Sequence, residues 1–395
     1  MNDPIVILGA ARTPIGAFQG AFSTLSANEL GAVAIRAAIG RAGIEASAVQ
    51  EVVFGNCLIA GQGQAPARQA AIKAGLPFST GAVTLSKMCG SGMKALMQAH
   101  DSIVAGTNDI VAAGGMESMT NAPYLLPKAR GGYRLGHGTI VDHMALDGLE
   151  DAYQKGQAMG VFAEMCAAQY RFTRADQDEY ALESVRRARQ AAEEGAFGWE
   201  IAPVGVESRT GTVVVDADEG PTKARPEKIP QLKPAFAADG TITAASSSSI
   251  NDGAAALILT RASRAQALGL KPIARILGHA SHSQEPEWFT TAPVGAMRKL
   301  MQKLGSRERD FDLFEVNEAF ATVPMAVMQE FDIRHERLNV HGGACVLGHP
   351  IGASGARIVV TLIGALRRRG LQRGMAALCI GGGEGTALAL ELELA

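Results

Sequence analysis

The chain has 395 residues, 47% hydrophobic and 19% charged, with a formal net charge of −2. That length accommodates two or three domains with large cores. The near-neutral balance argues against a nucleic-acid groove or a polybasic membrane surface.

The N-terminal stretch "MNDPIVILGAARTP" carries an Asp where a secretory leader needs positive charge, and Arg12 soon interrupts its apolar run. No uncharged apolar stretch reaches about 18 residues, so no membrane span is expected. "PIVILGAA" is predicted to be a strand, "SANELGAVAIRAAIGRAGI" an amphipathic helix and "VQEVVFGNCL" a second strand. The alternation points to an α/β fold with helices on both faces of a parallel or mixed sheet. A third strand, "AVTL", runs through Cys89-Gly90-Ser91-Gly92 into the helical pattern "GMKALMQAHDSIVAG".

Residues 121–245 differ in composition. Pro, Gly, Tyr and charged residues rise ("YLLPKARGGYRLGHG", "DEGPTKARPEKIPQLKP"). One helix is clear, with Thr173 as N-cap, Asp176 three residues on, and Gly195 as its stop. A bare loop of such length would be unusual, so this segment is read as an insertion with its own structure. "INDGAAALILTRASRAQALGL" then returns to the sheet pattern.

The second half repeats the first. A helix with Gly31 leads to a strand ending at Asn56, 25 residues on, and a helix with Gly295 leads to one ending at Asn317, 22 residues on. "CGSGMKAL" leads to "DIVAAGGMES" as "PIGASGARIVV" leads to "AALCIGGGEG". The expected organisation is a duplicated half at 1–120 plus 246–270, the insertion at 121–245, and the second half at 271–395.

Three clusters carry candidate chemistry. Cys89 sits at a strand-to-helix turn, where unpaired N–H groups and the helix dipole favour a thiolate, and Gly90 and Gly92 permit close approach of another molecule. Two readings compete with a nucleophile: a buried structural cysteine, and a dinucleotide turn, since "GSGMKA" loosely fits GxGxxA. His349 lies in the glycine-dense "GGACVLGHPIGASGAR", and Asn317 ends a strand where side chains project into the crevice. Cys379 ends a buried strand and runs into three glycines able to present N–H groups to an oxyanion. Cys, His and Asn also form the set of a papain-like hydrolase, which leaves Cys379 without a task. A nucleophile with a separate base uses both cysteines. A non-catalytic scaffold is the third reading, and no candidate catalytic residue is missing to support it. The five cysteines are widely spaced, with no CxxC, so no disulfide framework or metal site is expected, and a reducing compartment, the cytoplasm, fits best.

The chain resembles the thiolases over nearly its whole length. The resemblance rests on "ARTPIGAFQGAFS", "MCGSGMKA", "GGMESMTNAPY", "INDGAAA", "NEAFA", "GGACVLGHPIGASGAR" and "CIGGGEGTA", in family order. It implies two duplicated βαβαβαββ halves in a layered α-β-α-β-α core with an inserted loop domain. Cys89 would carry the acyl group as a thioester, His349 would activate it, and Cys379 would move the α-proton. Asn317 would hold a water that forms one oxyanion hole with His349, and the N–H groups of Cys89 and Gly381 would form the other. A more distant likeness to the β-ketoacyl synthases is set aside by Cys379, whose role falls to histidine there.

The implied reaction is ping-pong: two acetyl-CoA condense to acetoacetyl-CoA and CoA, or CoA cleaves a 3-ketoacyl-CoA, as in fatty acid metabolism. CoA thioesters are substrates, with no tightly bound cofactor, and a homodimer or homotetramer is implied. Lys223, Arg225 and Lys228 are candidates to face the CoA phosphates, although a charge run is usually a solvated face. Ser248 matches a pantetheine contact and Met159 a pocket-lining position. Three departures bear on CoA contacts and chain length: "TAASSSS" before "INDG", Ala158 where a His is common, and Trp288-Phe289 where some relatives carry Met.

Overall fold

A computed structural model describes residues 3–393. The first half runs β1 (Ile5–Arg12), α1 (Ala27–Ala42), β2 (Glu51–Gly55), α2 (Pro66–Lys73), β3 (Gly81–Leu85), α3 (Ser91–Val104) and β4 (Ile110–Ser118). An insertion follows, with α4 (Met159–Tyr170), α5 (Arg174–Glu193) and two short hairpins, before β5 (Asn251–Arg261) closes the half. β5 lies antiparallel between β1 and β4, and the insertion departs and returns at neighbouring points, with Ser118 opposite Asp252. The second half runs β6 (Ala274–Ser283), α6 (Ala292–Leu304), β7 (Leu313–Val316), α7 (Thr322–Phe331), α8 (Ile351–Arg369), β8 (Arg373–Ile380) and β9 (Glu384–Leu392).

The long strands form one continuous path, β7-β8-β9-β6-β1-β5-β4-β2-β3. The two halves meet where β1 and β6 pair at Val6 with Arg275 and Ile7 with Ala274. Strand periodicity explains the layering. Ile5 and Ile7 face a central core with α3 and α8, whereas Val6 and Leu8 face the outer core under α1 and α2. On β8, Ala376 and Leu378 face the same central core, and Met375, Ala377 and Cys379 face the outer core under α6 and α7. The order is thus helices, sheet, α3 with α8, sheet, helices.

The second half departs from the first at one element. The counterpart of β3 is reduced to an isolated bridge between Phe314 and Leu338. Asn339 is the cause. Its backbone turns left-handed at φ 49°, and its side chain takes over the ladder: Oδ1 accepts the Val316 N–H at 2.7 Å and Nδ2 donates to the Val316 carbonyl at 2.7 Å. Asn tolerates that conformation better than most residues.

Long-range anchors hold the insertion to this frame. The thoroughly buried Arg12 on β1 bonds Glu200 at 2.6 Å and Asp218 at 2.7 and 2.9 Å, both from the insertion. Burial alone would lower its pKa, but the two carboxylates outweigh that and raise it. The capping box expected at Thr173 and Asp176 is present on α5.

Candidate active site

Close backbone approach brings the reactive segments together. A Cβ on Gly92 of α3 would lie 2.7 Å from the Ala356 nitrogen, and one on Gly355 of α8 would lie 2.4 Å from the Met93 nitrogen, so the two central helices cross almost backbone to backbone. A Cβ on Gly90 would meet Ile380 Cδ1 at 2.3 Å, which seats the Cys89 turn on the residue after Cys379. This corrects the expectation that Gly90 and Gly92 open a path for another molecule: the protein's own packing fills both spaces.

The Cys89 turn is strained and braced. Met88 has φ 44°, a conformation costing a non-glycine residue about 1 kcal/mol or more. The Ser91 hydroxyl accepts the Lys87 N–H at 2.8 Å and donates to the Met88 carbonyl at 2.7 Å, and the Cys57 thiol donates to that carbonyl at 3.1 Å. Lys87 pairs with Glu384 of β9 at 2.6 Å. The N–H groups of Gly381 and of Cys89 itself point at the Cys89 sulfur. Even so, burial pushes the Cys89 thiol up to about 11, and those N–H bonds only oppose the rise. The expected low-pKa thiolate is therefore not the resting state, because desolvation outweighs the helix end and its donors.

His349 is held for the opposite task. Gly348 has φ 102°, and a Cβ there would fall 2.2 Å from the Asn251 side chain, so only glycine fits. Asn251 Oδ1 accepts the His349 N–H at 3.1 Å. The Ser354 hydroxyl donates to the Pro350 carbonyl at 2.9 Å and lies 2.6 Å from His349 Nδ1, so its lone pair accepts an Nδ1–H. That tautomer leaves Nε2 with a free lone pair, and Nε2 is buried with no protein hydrogen-bond partner. Burial first, then the charge of Arg357, drops the imidazole to about 3, so it is neutral at pH 7. The Asn317 amide nitrogen lies 3.5 Å from Nδ1, and its Oδ1 is likewise buried and unpartnered.

Cys89 and His349 meet at a cavity of about 590 Å³ whose wall also includes Gly381, Ser248 and Met159. Cys379 is fully buried at the end of β8; burial, then the neighbouring Cys89, raises its thiol well above the ordinary value. Asn317 directly follows β7 (Leu313–Val316), which stops one residue short of the end the sequence suggested, and neither Asn317 nor Cys379 is among the residues of the cavity wall. Ala158, Phe236, Phe289 and Phe320 also line the cavity, with Phe320 edge-on to Phe236 at 5.8 Å and to Phe289 at 6.4 Å. Lys223, Arg225 and Lys228 are exposed and outside the cavity wall, and Lys223 is paired with Glu219 at 2.7 Å.

Four supporting residues escaped the sequence reading: Ser354, Asn251, Met88 and Glu117. Glu117 is a buried carboxylate that accepts Asn56 Nδ2 at 2.6 Å and the N–H groups of Cys57, Leu58 and Gly352 at 3.0, 3.1 and 2.9 Å, tying β2, β4 and the start of α8 together. Its place in "GGMESM" was visible, but nothing local marks a carboxylate as buried.

The family description "Thiolase, N-terminal domain" matches residues 5–263 and "Thiolase, C-terminal domain" matches 270–392. Acetyl-CoA acetyltransferase 1 of Arabidopsis thaliana is 50% identical over 390 residues, covering 98% of this chain and 94% of the relative. The Cupriavidus necator acetyl-CoA acetyltransferase is 47% identical over 393 residues, 99% of this chain and 100% of the relative. The crystal structure of the Bacillus anthracis acetyl-CoA acetyltransferase superposes with a TM-score of 0.96 at 42% identity, over 99% of both chains. An Ascaris suum thiolase solved in complex with coenzyme A superposes at 0.93 and 44%, over 99% of this chain and 100% of that one.

Proposed function

The chain belongs to the thiolase family, and from that premise we propose the proton itinerary by which its own residues join two acetyl-CoA into acetoacetyl-CoA and CoA, or run the reverse thiolysis. His349 Nε2 takes the Cys89 proton, and the thiolate attacks the first acetyl thioester. The N–H groups of Cys89 and Gly381 receive the tetrahedral oxyanion. CoA leaves as a thiolate and takes its proton from Cys379, a thiol too weakly acidic to ionise unaided. The acyl group is now on Cys89, His349 is cationic, and Cys379 is a thiolate. Cys379 then removes the α-proton of the second acetyl-CoA. The enolate oxygen is held by His349 together with the group that Asn317 positions. Carbon attacks the acetyl-Cys89 carbonyl, the C–S bond breaks, and the Cys89 sulfur recovers its proton from His349.

One observation supports this reading above the rest: Cys89, His349 and Gly381 line one cavity, where the imidazole is neutral with an unpartnered Nε2 and the thiol is protonated. Each oxyanion donor contributes about 10²–10³ in rate and a positioned acid/base about 10²–10⁴.

Two variants test the division of labour. Cys89→Ala should abolish both directions. Cys379→Ala should still take acetyl from acetyl-CoA onto Cys89, seen as a mass gain of one acetyl group, while condensation falls by about 10³ or more. Equal loss of acylation in the two variants would overturn the assignment. Steady CoA release without acetoacetyl-CoA would instead favour the hydrolase.

The finer reading is a short-chain enzyme, supported by the three bulky phenylalanines in the cavity wall, which limit the room there for a longer chain. Thiolysis should fall sharply for 3-ketoacyl-CoA beyond four carbons, and fast turnover there would favour a longer-chain role in fatty acid breakdown. A homodimer or homotetramer is supported by two exposed features: the edge strand β3, and the segment carrying Tyr124, Leu126, Leu135 and Ile140, each more than half exposed. Exposed Lys223, Arg225 and Lys228 remain candidates for the outer phosphates of CoA. A cytoplasmic setting is supported by five free cysteines. No described helix is long and apolar enough to cross a membrane.

A further inference from the structure

On the central helix α3 (Ser91–Val104), far from its reactive end, His100 and Asp101 meet His279 of β6 (Ala274–Ser283). His279 Nε2 lies 3.2 Å from His100 Nδ1 and 3.0 Å from Asp101 Oδ1, and His100 Nδ1 lies 3.0 Å from the same oxygen. The three atoms form a nearly equilateral triangle. None of them belongs to the reaction centre: nine residues of helix, about 14 Å at 1.5 Å per residue, separate His100 from Ser91.

From this juxtaposition we propose that His100, Asp101 and His279 form a binding site for a borderline divalent transition-metal ion, with zinc as the natural probe. Three points carry it. First, the donor set is two imidazole nitrogens and one carboxylate oxygen, which suits zinc and its neighbours and suits magnesium or calcium poorly. Second, the triangle is the right size. Ligand atoms 2.0–2.1 Å from a tetrahedral ion lie about 3.3–3.4 Å apart, so the observed edges need to open by only a few tenths of an ångström. Third, the ring planes of His100 and His279 stand at 88° with centroids 4.9 Å apart, so the two imidazoles reach the cluster from different directions and neither ring stacks over the other. Adjacent residues on a helix ordinarily face about 100° apart, yet His100 and Asp101 both turn toward the same strand atom.

Exposure agrees with an exchangeable site. The His279 and His100 side chains are 10% and 19% exposed, and that of Asp101 is 59% exposed. Two ligands are therefore held by packing, the third can swing in, and the fourth position opens to water. An ion there would fasten the far end of the helix that follows Cys89 to a strand of the other half. Its role is to join the two halves, and it takes no part in acyl transfer.

The test titrates chelator-stripped enzyme with zinc by calorimetry and with cobalt(II) by visible absorption. The parallel samples are wild type, His279→Asn, Asp101→Asn and Cys89→Ser. The proposal expects one zinc per chain in wild type. His279→Asn should weaken binding by more than about tenfold, as even indirect support of a ligand is commonly worth 10–100-fold, and exposed Asp101→Asn should weaken it with no risk to folding. Cys89→Ser should bind as wild type, and the cobalt spectrum should show tetrahedral bands without sulfur charge transfer. Zinc should raise Tm in wild type and not in His279→Asn, while metal-free thiolysis rates match. The absence of saturable zinc binding in wild type would overturn the proposal. So would zinc binding that survives both His279→Asn and Asp101→Asn, or zinc binding that vanishes in Cys89→Ser, which would place the ion on the reactive thiols.

Discussion

Cys89 and His349 rest as a neutral pair. The thiol is pushed up to about 11 and the imidazole down to about 3, each mainly by burial. Nucleophilicity therefore has to be produced by proton transfer inside the cavity, since a resting thiolate is scarce at pH 7. A direct readout is alkylation of the free enzyme by iodoacetamide. Its rate at Cys89 should keep rising about tenfold per pH unit through pH 8 to 10, because the thiolate fraction is still small there. A plateau near pH 7 would mean an ion pair at rest. Ser354 is a positioning residue: it accepts Nδ1–H and so leaves the Nε2 lone pair free to take a proton. Ser354→Ala should lower kcat up to about 10²-fold with little change in KM, and Ser354→Thr should restore part of it.

At the scale of elements, the crossing of α3 and α8 matters most. Gly92→Ala would push a methyl group against the backbone of Ala356, Gly352 and Ala353, which only a shift of a whole helix can relieve. We expect a loss of about 1–3 kcal/mol in urea unfolding, together with a fall in kcat as Cys89 and His349 move apart. The order of strands and helices was legible because apolar periodicity is local, and so was the Thr173 capping box. The duplicated order and the seven ordered motifs led to Cys89, His349, Cys379, Asn317 and Gly381. What stayed hidden depends on distant partners. Asn251 supports His349 across 98 positions, and His279 reaches Asp101 across 178. Asn339 reads as an ordinary polar residue in "RLNVHGG", and only its left-handed turn and its bonds to Val316 reveal why a strand is missing. The thiolate expected at Cys89 failed for a related reason, as depth of burial is not written in a turn motif.

For the molecule as a whole, two buried basic side chains bear on stability, one charged and one neutral at pH 7. Arg12→Met would leave Glu200 and Asp218 buried without their cation, and loss of one partner of such a cluster costs about 3–5 kcal/mol. Unfolding in urea should shift accordingly, with the insertion losing protease resistance first. His341 is buried, and that burial, then Arg369 and Arg368, holds it down at about 4, while Glu194 pulls the other way. Its native pKa lies below the ordinary 6.5, so the unfolded chain binds the extra proton between those values. The contribution is present above pH 6.5 and is lost as pH falls toward 4, on the order of 2 kcal/mol between pH 7 and 5. Tm should therefore drop over that range, and less steeply in His341→Asn. The proposed reaction centre draws on both halves, with Cys89 in the first and Cys379, 290 positions later, in the second. At 5–20 residues per second, the ribosome delivers the second sulfur about 15–60 s after the first. A nascent polypeptide thus carries one sulfur through that interval without its partner, and the proposed capacity to make carbon–carbon bonds has to wait for the second half.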